Sequence, residues 1–328
     1  MAPSSDFSDA ELSEFDLIET YFAPLAGAEG LDLKDDAACI KLEEGSELIV
    51  TSDTLVSDIH FFADDKPKDI GFKAVSVNVS DLAAKGARPR YYLLNLSLPF
   101  KFANKTWLES FVKGLAEAQN QYNIKLVGGD TTRSPGPLTL SITAMGSVPA
   151  GKMIKRSGAS AGDDLYVSGT IGDAALALKS KMERLQASKE ILQRLARPEA
   201  RPELGQALVG IATASADISD GLLADIEHIC KASSLGGNVI ETKIPLSNEV
   251  RALVDAAPAL WPTIWSGGDD YEIVFTAAPK SRATLSAVAQ KIGVPLTRIG
   301  SLHNGSSLEL VDSNGKLVQV GLLGYKHF

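Results

Sequence analysis

The sequence predicts an α/β (α+β) protein, and three observations predict it. Segments of strand period and of helix period alternate along the whole chain. The length of 328 residues suits two domains or one large one. Between the halves, Arg156-Ser157-Gly158 and Gly162-Asp163-Asp164 form a loop-rich stretch that sets residues 15–150 apart from 151–328.

Residues 1–14 are acidic and Ser-rich and read as a loose arm. Phe15, Ile18, Tyr21 and Phe22 sit at helical spacing, and Pro24 is expected to end that helix. Ala37-Ala38-Cys39-Ile40 reads as a small strand behind the acidic pair Asp35-Asp36. Glu47 to Val50 is a further strand, leading into Thr51-Ser52-Asp53-Thr54. From Asp69 to Gly86, Phe72, Val75, Val79 and Leu82 recur at three and four residues, the mark of a buried helix, with Gly86 and Pro89 as its stop. Tyr92, Leu94, Leu96 and Leu98 alternate as a half-buried strand. An amphipathic helix spans Trp107 to Tyr122, and Ile124 to Val127 is a strand that stops at Gly128-Gly129. Leu138, Leu140, Ile142 and Ala144 give another strand, and Leu165 to Val167 the next. Helical stretches from Gly172 and up to Arg197 are broken by Pro198 and Pro202. Leu222, Leu223, Ile226, Ile229 and Cys230 share one helix face. Tyr271, Ile273 and Phe275 alternate, Ser281 to Ile292 is helical, and short strands follow up to Val320. The aromatic tail reads as a cap on the core.

Composition narrows the function classes. A net charge of -9 with a pI near 5.1 argues against a nucleic-acid partner, which needs a clustered basic face. It leaves room for small phosphates held through Mg2+ by carboxylates. No apolar run approaches a membrane span, and the acidic start lacks the basic and apolar regions of a secretory signal. Cys39 and Cys230 both lie in apolar segments, read as small buried hydrophobes, and fit a reducing cytoplasm.

The chemistry lies in a recurring pattern: strand-like residues, then an Asp among Ser, Thr or Gly. Thr51-Ser52-Asp53-Thr54, Gly128-Gly129-Asp130-Thr131-Thr132, Asp217-Ile218-Ser219-Asp220-Gly221 and Ser266-Gly267-Gly268-Asp269-Asp270 all show it. Alone, each is also ordinary turn or helix-cap chemistry. Asp81, three residues after Asn78, stands inside an apolar helix, where a carboxylate needs a partner or a metal. Gly146 to Lys152 has the glycine and lysine spacing of a P-loop, but Met153 replaces the metal-binding hydroxyl, so this is a strand-to-linker turn.

Taken together, Ser52-Asp53-Thr54-Leu55-Val56, Asn78-Val79-Ser80-Asp81-Leu82, Gly128-Gly129-Asp130-Thr131-Thr132, Asp217-Ile218-Ser219-Asp220-Gly221 and Ser266-Gly267-Gly268-Asp269-Asp270-Tyr271-Glu272 resemble the thiamine-monophosphate kinases, in the superfamily of aminoimidazole ribonucleotide synthetase. The resemblance runs from about Phe15 to Phe328. It implies transfer of a phosphoryl group from ATP to thiamine monophosphate with several Mg2+ ions, and a homodimer whose N-terminal mixed sheets pack as a barrel-like core. It also implies that residues 15–150 bind ATP and Mg2+ and dimerise, while 151–328 form an α/β domain completing the site. By position, Asp36, Thr51, Ser52, Asp53, Asp81, Asp130, Asp217 and Asp220 match the metal shell. Gly129, Asp130, Arg156 and Ser219 match residues that hold ATP, and His60, Asp269 and Tyr325 match the acceptor pocket. Asp269 is a departure, because the family often has Glu there.

The residue types suit that reaction. Donor and acceptor are both phosphates, so hard oxygen ligands and divalent cations are needed to gather their charge. The acceptor phosphate is already ionised near neutral pH, so no catalytic base is expected; positioning and electrostatics carry the step without a phosphoenzyme. Two other readings remain: another ATP-dependent enzyme of the superfamily, or a nucleotide-binding module without catalysis. Selenophosphate synthetases carry a reactive Cys near the N-terminus, and hydrogenase-maturation relatives end in Cys; neither feature is present here.

Overall fold

In a computed structural model of the chain, residues 14–183, 186–321 and 323–325 are described. The arm expected over 1–14 lies almost wholly outside them. Helix α1 (Glu14–Leu17) continues through a π-turn, Ile18–Phe22, and a 3-10 turn, Ala23–Leu25, so Pro24 does not end the helical path. Pro is tolerated there because the opening of a helical turn needs no N–H from it. Leu17, Tyr21, Phe22 and Leu25 are buried, which is what holds this irregular segment down. The small strand expected at Ala37–Ile40 does not form: the Cys39 N–H donates to the Glu29 carbonyl at 2.9 Å instead of to a strand. Cys39 is exposed, contrary to its apolar setting in sequence, whereas Cys230 is buried.

The first sheet holds β1 (Ser46–Val56), β2 (Arg88–Leu98), β3 (Lys125–Arg133) and β4 (Thr139–Pro149) in the order β1-β4-β2-β3. Helices α2 (Pro67–Ala84) and α3 (Lys105–Tyr122) join its strands, and their apolar side chains share one core with its inner face. Leu55, Leu140, Ile142, Tyr92, Leu94 and Leu96 point into that core, as period-two alternation requires. The other face carries Leu48, Val50, Ser52 and Thr54 outward.

Gly128 and Gly129 do not turn the chain. Strand β3 runs straight through them, paired in parallel with β2, with a register shift between Tyr92 and Leu93. At the bulge Gly129 takes a φ of 146°, and a Cβ there would meet the Leu94 carbonyl oxygen at 1.9 Å. The glycine is needed for the approach of β2, a role its sequence context did not show.

The second half begins with β5 (Asp164–Ser168), α4 (Asp173–Glu183), α5 (Lys189–Ala196) and α6 (Pro202–Leu208). Pro202 starts α6 rather than breaking a helix, since Pro is at home in the first turn. There follow β6 (Ala212–Asp217), α7 (Leu222–Ser233), β7 (Gly236–Ile240), α8 (Asn248–Ala256), α9 (Trp261–Ser266), β8 (Ile273–Ala277), α10 (Arg282–Ile292), β9 (Leu296–His303) and β10 (Leu308–Val311). These strands form a six-stranded sheet in the order β10-β7-β9-β5-β8-β6. It has its own core, built on Val167, Ala216, Ile226, Ile229 and Ile299. A third cluster, Ala83 of α2 with Leu204, Leu208, Phe275 and Leu285, joins the two. Helix α2 is therefore packed by both halves. No helix among the described residues is long and apolar enough to cross a membrane.

Gly129→Ala is expected to destabilise the protein by about 3 kcal/mol or more, through the clash with β2 and the positive φ. Chemical denaturation of the variant checks this, and a change near zero would show that the bulge relaxes freely.

Candidate functional site

Three side chains of α2 fall on one stripe: Lys73, Val77 and Asp81, at i, i+4 and i+8. The stripe covers about 12 Å of helix. At one end the Thr51 hydroxyl donates to the Asp81 carboxylate in a short hydrogen bond. The inward set of β1 includes Thr51 and Asp53, whereas Ser52 faces outward, donating to the Ile142 carbonyl at 3.0 Å. Asn78 is a clamp between strand and helix: its Oδ1 accepts from the Asp53 N–H at 3.1 Å, and its Nδ2 donates to the Ala74 carbonyl at 3.0 Å. Asp53 thus sits inside a strand rather than at its end, and its backbone is fixed by α2.

The second half delivers its carboxylates from the end of β6. Asp217 is buried as the last residue of that strand, and the loop after it carries Ser219 and Asp220. Neither caps α7, whose N-cap is Gly221. No side chain caps it; instead Asp225, inside the helix, pins the loop ahead of it, its Oδ2 accepting from the Ser219 and Asp220 N–H groups at 3.1 and 3.2 Å. The 268–271 loop leans on the same turn. Asp269 N–H donates to the Ser219 carbonyl at 3.0 Å and Tyr271 N–H to the Ile218 carbonyl at 2.8 Å. Gly268 allows this, since a Cβ there would lie 2.1 Å from the Ser219 carbonyl oxygen.

Asp53, Asp81, Asp217, Ser219 and Asp220 consequently line one cavity of about 260 Å³, shared with His60, Asp269 and Tyr325. Burial, then the charges of Asp81 and Asp220, push the Asp53 carboxyl up to about 6. Burial, then Asp81 and Asp225, hold Asp217 well above the usual carboxylate range. Asp225 is raised to about 7 by burial first and by Asp220 next. Among the described residues, Asp225 Oδ1 is buried without a hydrogen-bond partner, and Ser80 beside Asp217 holds that carboxyl back from rising further. An all-oxygen donor set with excess negative charge fits Mg2+ and offers no soft ligand. Asp225 also lies with Asp220 and His228 in a group whose ligand atoms are all within 4.8 Å of one another.

A second cavity, about 270 Å³, opens beside the first and shares His60, Asp269 and Tyr325 with it. Phe61, Phe62, Ile70 and Leu195 make its walls apolar. His60 Nδ1 accepts from the Val56 N–H at 3.0 Å, which fixes its ring. Tyr325 is 55% exposed and does not cap a core; its N–H donates to the Asp220 carbonyl at 2.9 Å, tying the tail to the carboxylate loop.

The remaining expected residues stand elsewhere. Asp36, Gly129 and Asp130 line a separate cavity of about 540 Å³. Asp130 pairs in register with Asn95, on the outer face of the sheet, and Gly129 is level with Asp53 but three strands away, about 14 Å. One chain alone therefore does not bring Asp36 and Asp130 to the other aspartates. Arg156 is exposed, its carbonyl accepts from Ser233 Oγ at 3.4 Å, and its charge acts on Asp225 and Lys85. Lys85, pushed down to about 8 by burial and then by Arg156, donates to the Ser215 carbonyl at 2.8 Å. Sequence reasoning missed Lys73, Lys85 and Asp225. For Lys73 a signal existed, a charge inside an apolar helix, the same one that marked Asp81.

Residues 34–148 match the AIR synthase related protein N-terminal domain, and residues 160–313 match the C-terminal domain of that family. The thiamine-monophosphate kinase of Salmonella typhimurium is 41% identical over 326 residues, covering 96% of this chain and 98% of the relative. A crystal structure of thiamine-monophosphate kinase from Stenotrophomonas maltophilia K279a superposes with a TM-score of 0.80 at 41% identity, over 87% of this chain and 91% of that one. The structure of AaThiL complexed with AMPPCP and TMP superposes with a TM-score of 0.76 at 30% identity, over 99% and 100%. The chain belongs to the AIR synthase related family and, within it, to the thiamine-monophosphate kinases.

Proposed function

We propose that this protein transfers the γ-phosphoryl group of ATP to thiamine monophosphate, giving thiamine diphosphate and ADP. The observation that carries it is the convergence of Asp53 and Asp81 from one half with Asp217 and Asp220 from the other, beside an apolar, aromatic pocket. AMPPCP and TMP in the AaThiL complex name the donor and acceptor classes. Thr51, Asp53, Asp81, Asp217 and Asp220 would hold Mg2+, with Ser52, Asp36 and Asp130 assigned to the same shell by the family resemblance. Bound there, Mg2+ neutralises phosphate charge and polarises the transferred group.

The rest falls to the protein's own groups. The carboxylates are held rigidly by Asn78, Thr51 and the turn after β6, so little reorganisation is needed when charge develops. Gly129, Asp130, Arg156 and Ser219 would hold ATP, with Arg156 as a fork for phosphate. His60, Asp269 and Tyr325 would face the acceptor, whose aromatic cation suits Phe61, Phe62 and the ring of Tyr325. No side chain is assigned as a base or a nucleophile; alignment of the two phosphates supplies the rate.

The division at residues 150 and 151 belongs to the same reading, as do a cytoplasmic location and the absence of nucleic-acid and membrane partners. A homodimer belongs to it as well. Its support is the outer face of the first sheet, where Leu48 and Val50 are 41% and 55% exposed and where Asp130 stands. A second copy laid on that face would give the barrel-like core.

Incubation with ATP, Mg2+ and thiamine monophosphate should yield thiamine diphosphate and ADP in equal amounts. Binding of ATP with no product would defeat the reading. The carboxylate cluster makes a further prediction. Asp53 titrates near 6 in the folded chain against 3.8 for the ordinary group. The folded state therefore binds the extra proton, and the fold loses stability as pH rises from about 4 to about 6. Cation binding requires the ionised form, so Mg2+ should raise the Tm more at about pH 8 than at about pH 5. Equal shifts at both pH values would show that the cation binds elsewhere.

A further inference from the structure

We propose that Lys73 is a positioning residue for the acceptor substrate, an inference that rests on the function proposed above. Its side chain is 4% exposed, and its Nζ lies 3.0 Å from Asp269 Oδ2 and 3.0 Å from the His60 carbonyl oxygen. One ammonium thus ties together two residues assigned to the acceptor, from segments 209 residues apart in sequence (269 minus 60). Asp269 is held at both oxygens, since the Tyr271 hydroxyl donates to Oδ1 at 3.0 Å. The backbone is bent here too: Asp269 and Tyr271 take φ values of 68° and 51°, which an Asp tolerates but a bulky Tyr rarely adopts.

The charge has a use of its own. Among the described residues lining the apolar pocket, Lys73 is the only Lys or Arg; Asp65 and Asp69 pair with Lys181 and Arg197 outside that lining, so Lys73 is the cation that answers Asp269. Without it, the Asp269 carboxylate would face the pocket uncompensated and repel the acceptor's phosphate on its way to the aspartate cluster. Lys73 stands two helical turns before Asp81 on the same stripe of α2, so one rigid element sets the distance between acceptor wall and metal shell. A residue acting this way should change how the acceptor binds and leave the nucleotide alone.

Steady-state kinetics of Lys73→Met test this. The KM for thiamine monophosphate should rise about tenfold or more, as for loss of a partner that orients a binding group, while the KM for ATP stays within about twofold. Lys73→Arg should recover part of the loss, and in an Asp269→Asn background Lys73→Met should add little. An unchanged acceptor KM, parallel rises in both KM values, or effects that multiply in the double variant would overturn the proposal. If the Met variant does not fold, Lys73→Gln reads the same split. Wild-type protein that makes no thiamine diphosphate defeats the function itself, whereas active wild type with an unaffected variant defeats only the role of Lys73.

Discussion

Four aspartates from two halves of the chain share one cavity, and much of the structure exists to hold them there against their mutual repulsion. Asp53 and Asp217 are pushed up by burial and by neighbouring carboxylates. A fold selected for stability alone would disperse such groups or pair them with cations. Here Lys73 is turned to Asp269, and the charge of Lys85, whose ammonium donates to the Ser215 carbonyl, offsets Asp217 only in part. The unbalanced charge is what a cation and a polyphosphate would complete.

Helix α2 is the element on which both sides depend. It packs in the first core through Phe72, Val75 and Val79, and in the joining cluster through Ala83. Its polar side chains reach β1 through Asn78 and Asp81 and the 268–271 loop through Lys73, and Lys85, just past its end, reaches the second sheet. A displacement of this helix would move the proposed metal shell and the proposed acceptor wall together. That coupling favours a reaction governed by the alignment of two phosphates.

Much of this was legible in the sequence, and the failures have identifiable physical causes. Periodicity located α2 and α3 because apolar residues recur every three to four positions on their buried faces, Phe72, Val75, Val79 and Leu82 in one and Leu108, Phe111 and Leu115 in the other. It could not show that β3 passes through Gly128-Gly129, since that depends on a carbonyl of β2, a contact that only the folded sheet creates. Asp225 escaped notice because it holds the loop ahead of α7 from a position inside the helix, a contact that only the fold creates. Lys73 could have been found by the reasoning that found Asp81. The family resemblance put Asp36 and Asp130 with the others, but sequence order carries no information about which face of a sheet, or which copy of it, presents them.

In the proposed reaction, alignment and electrostatics move the phosphoryl group directly, with no side chain taking it up on the way. Stereochemistry at phosphorus tests that most directly. With ATP made chiral at the γ-phosphorus by oxygen isotopes and sulfur, a single in-line displacement inverts configuration in the thiamine diphosphate product. Inversion is the predicted result. Retention would mean two displacements through a phosphorylated side chain and would contradict the account.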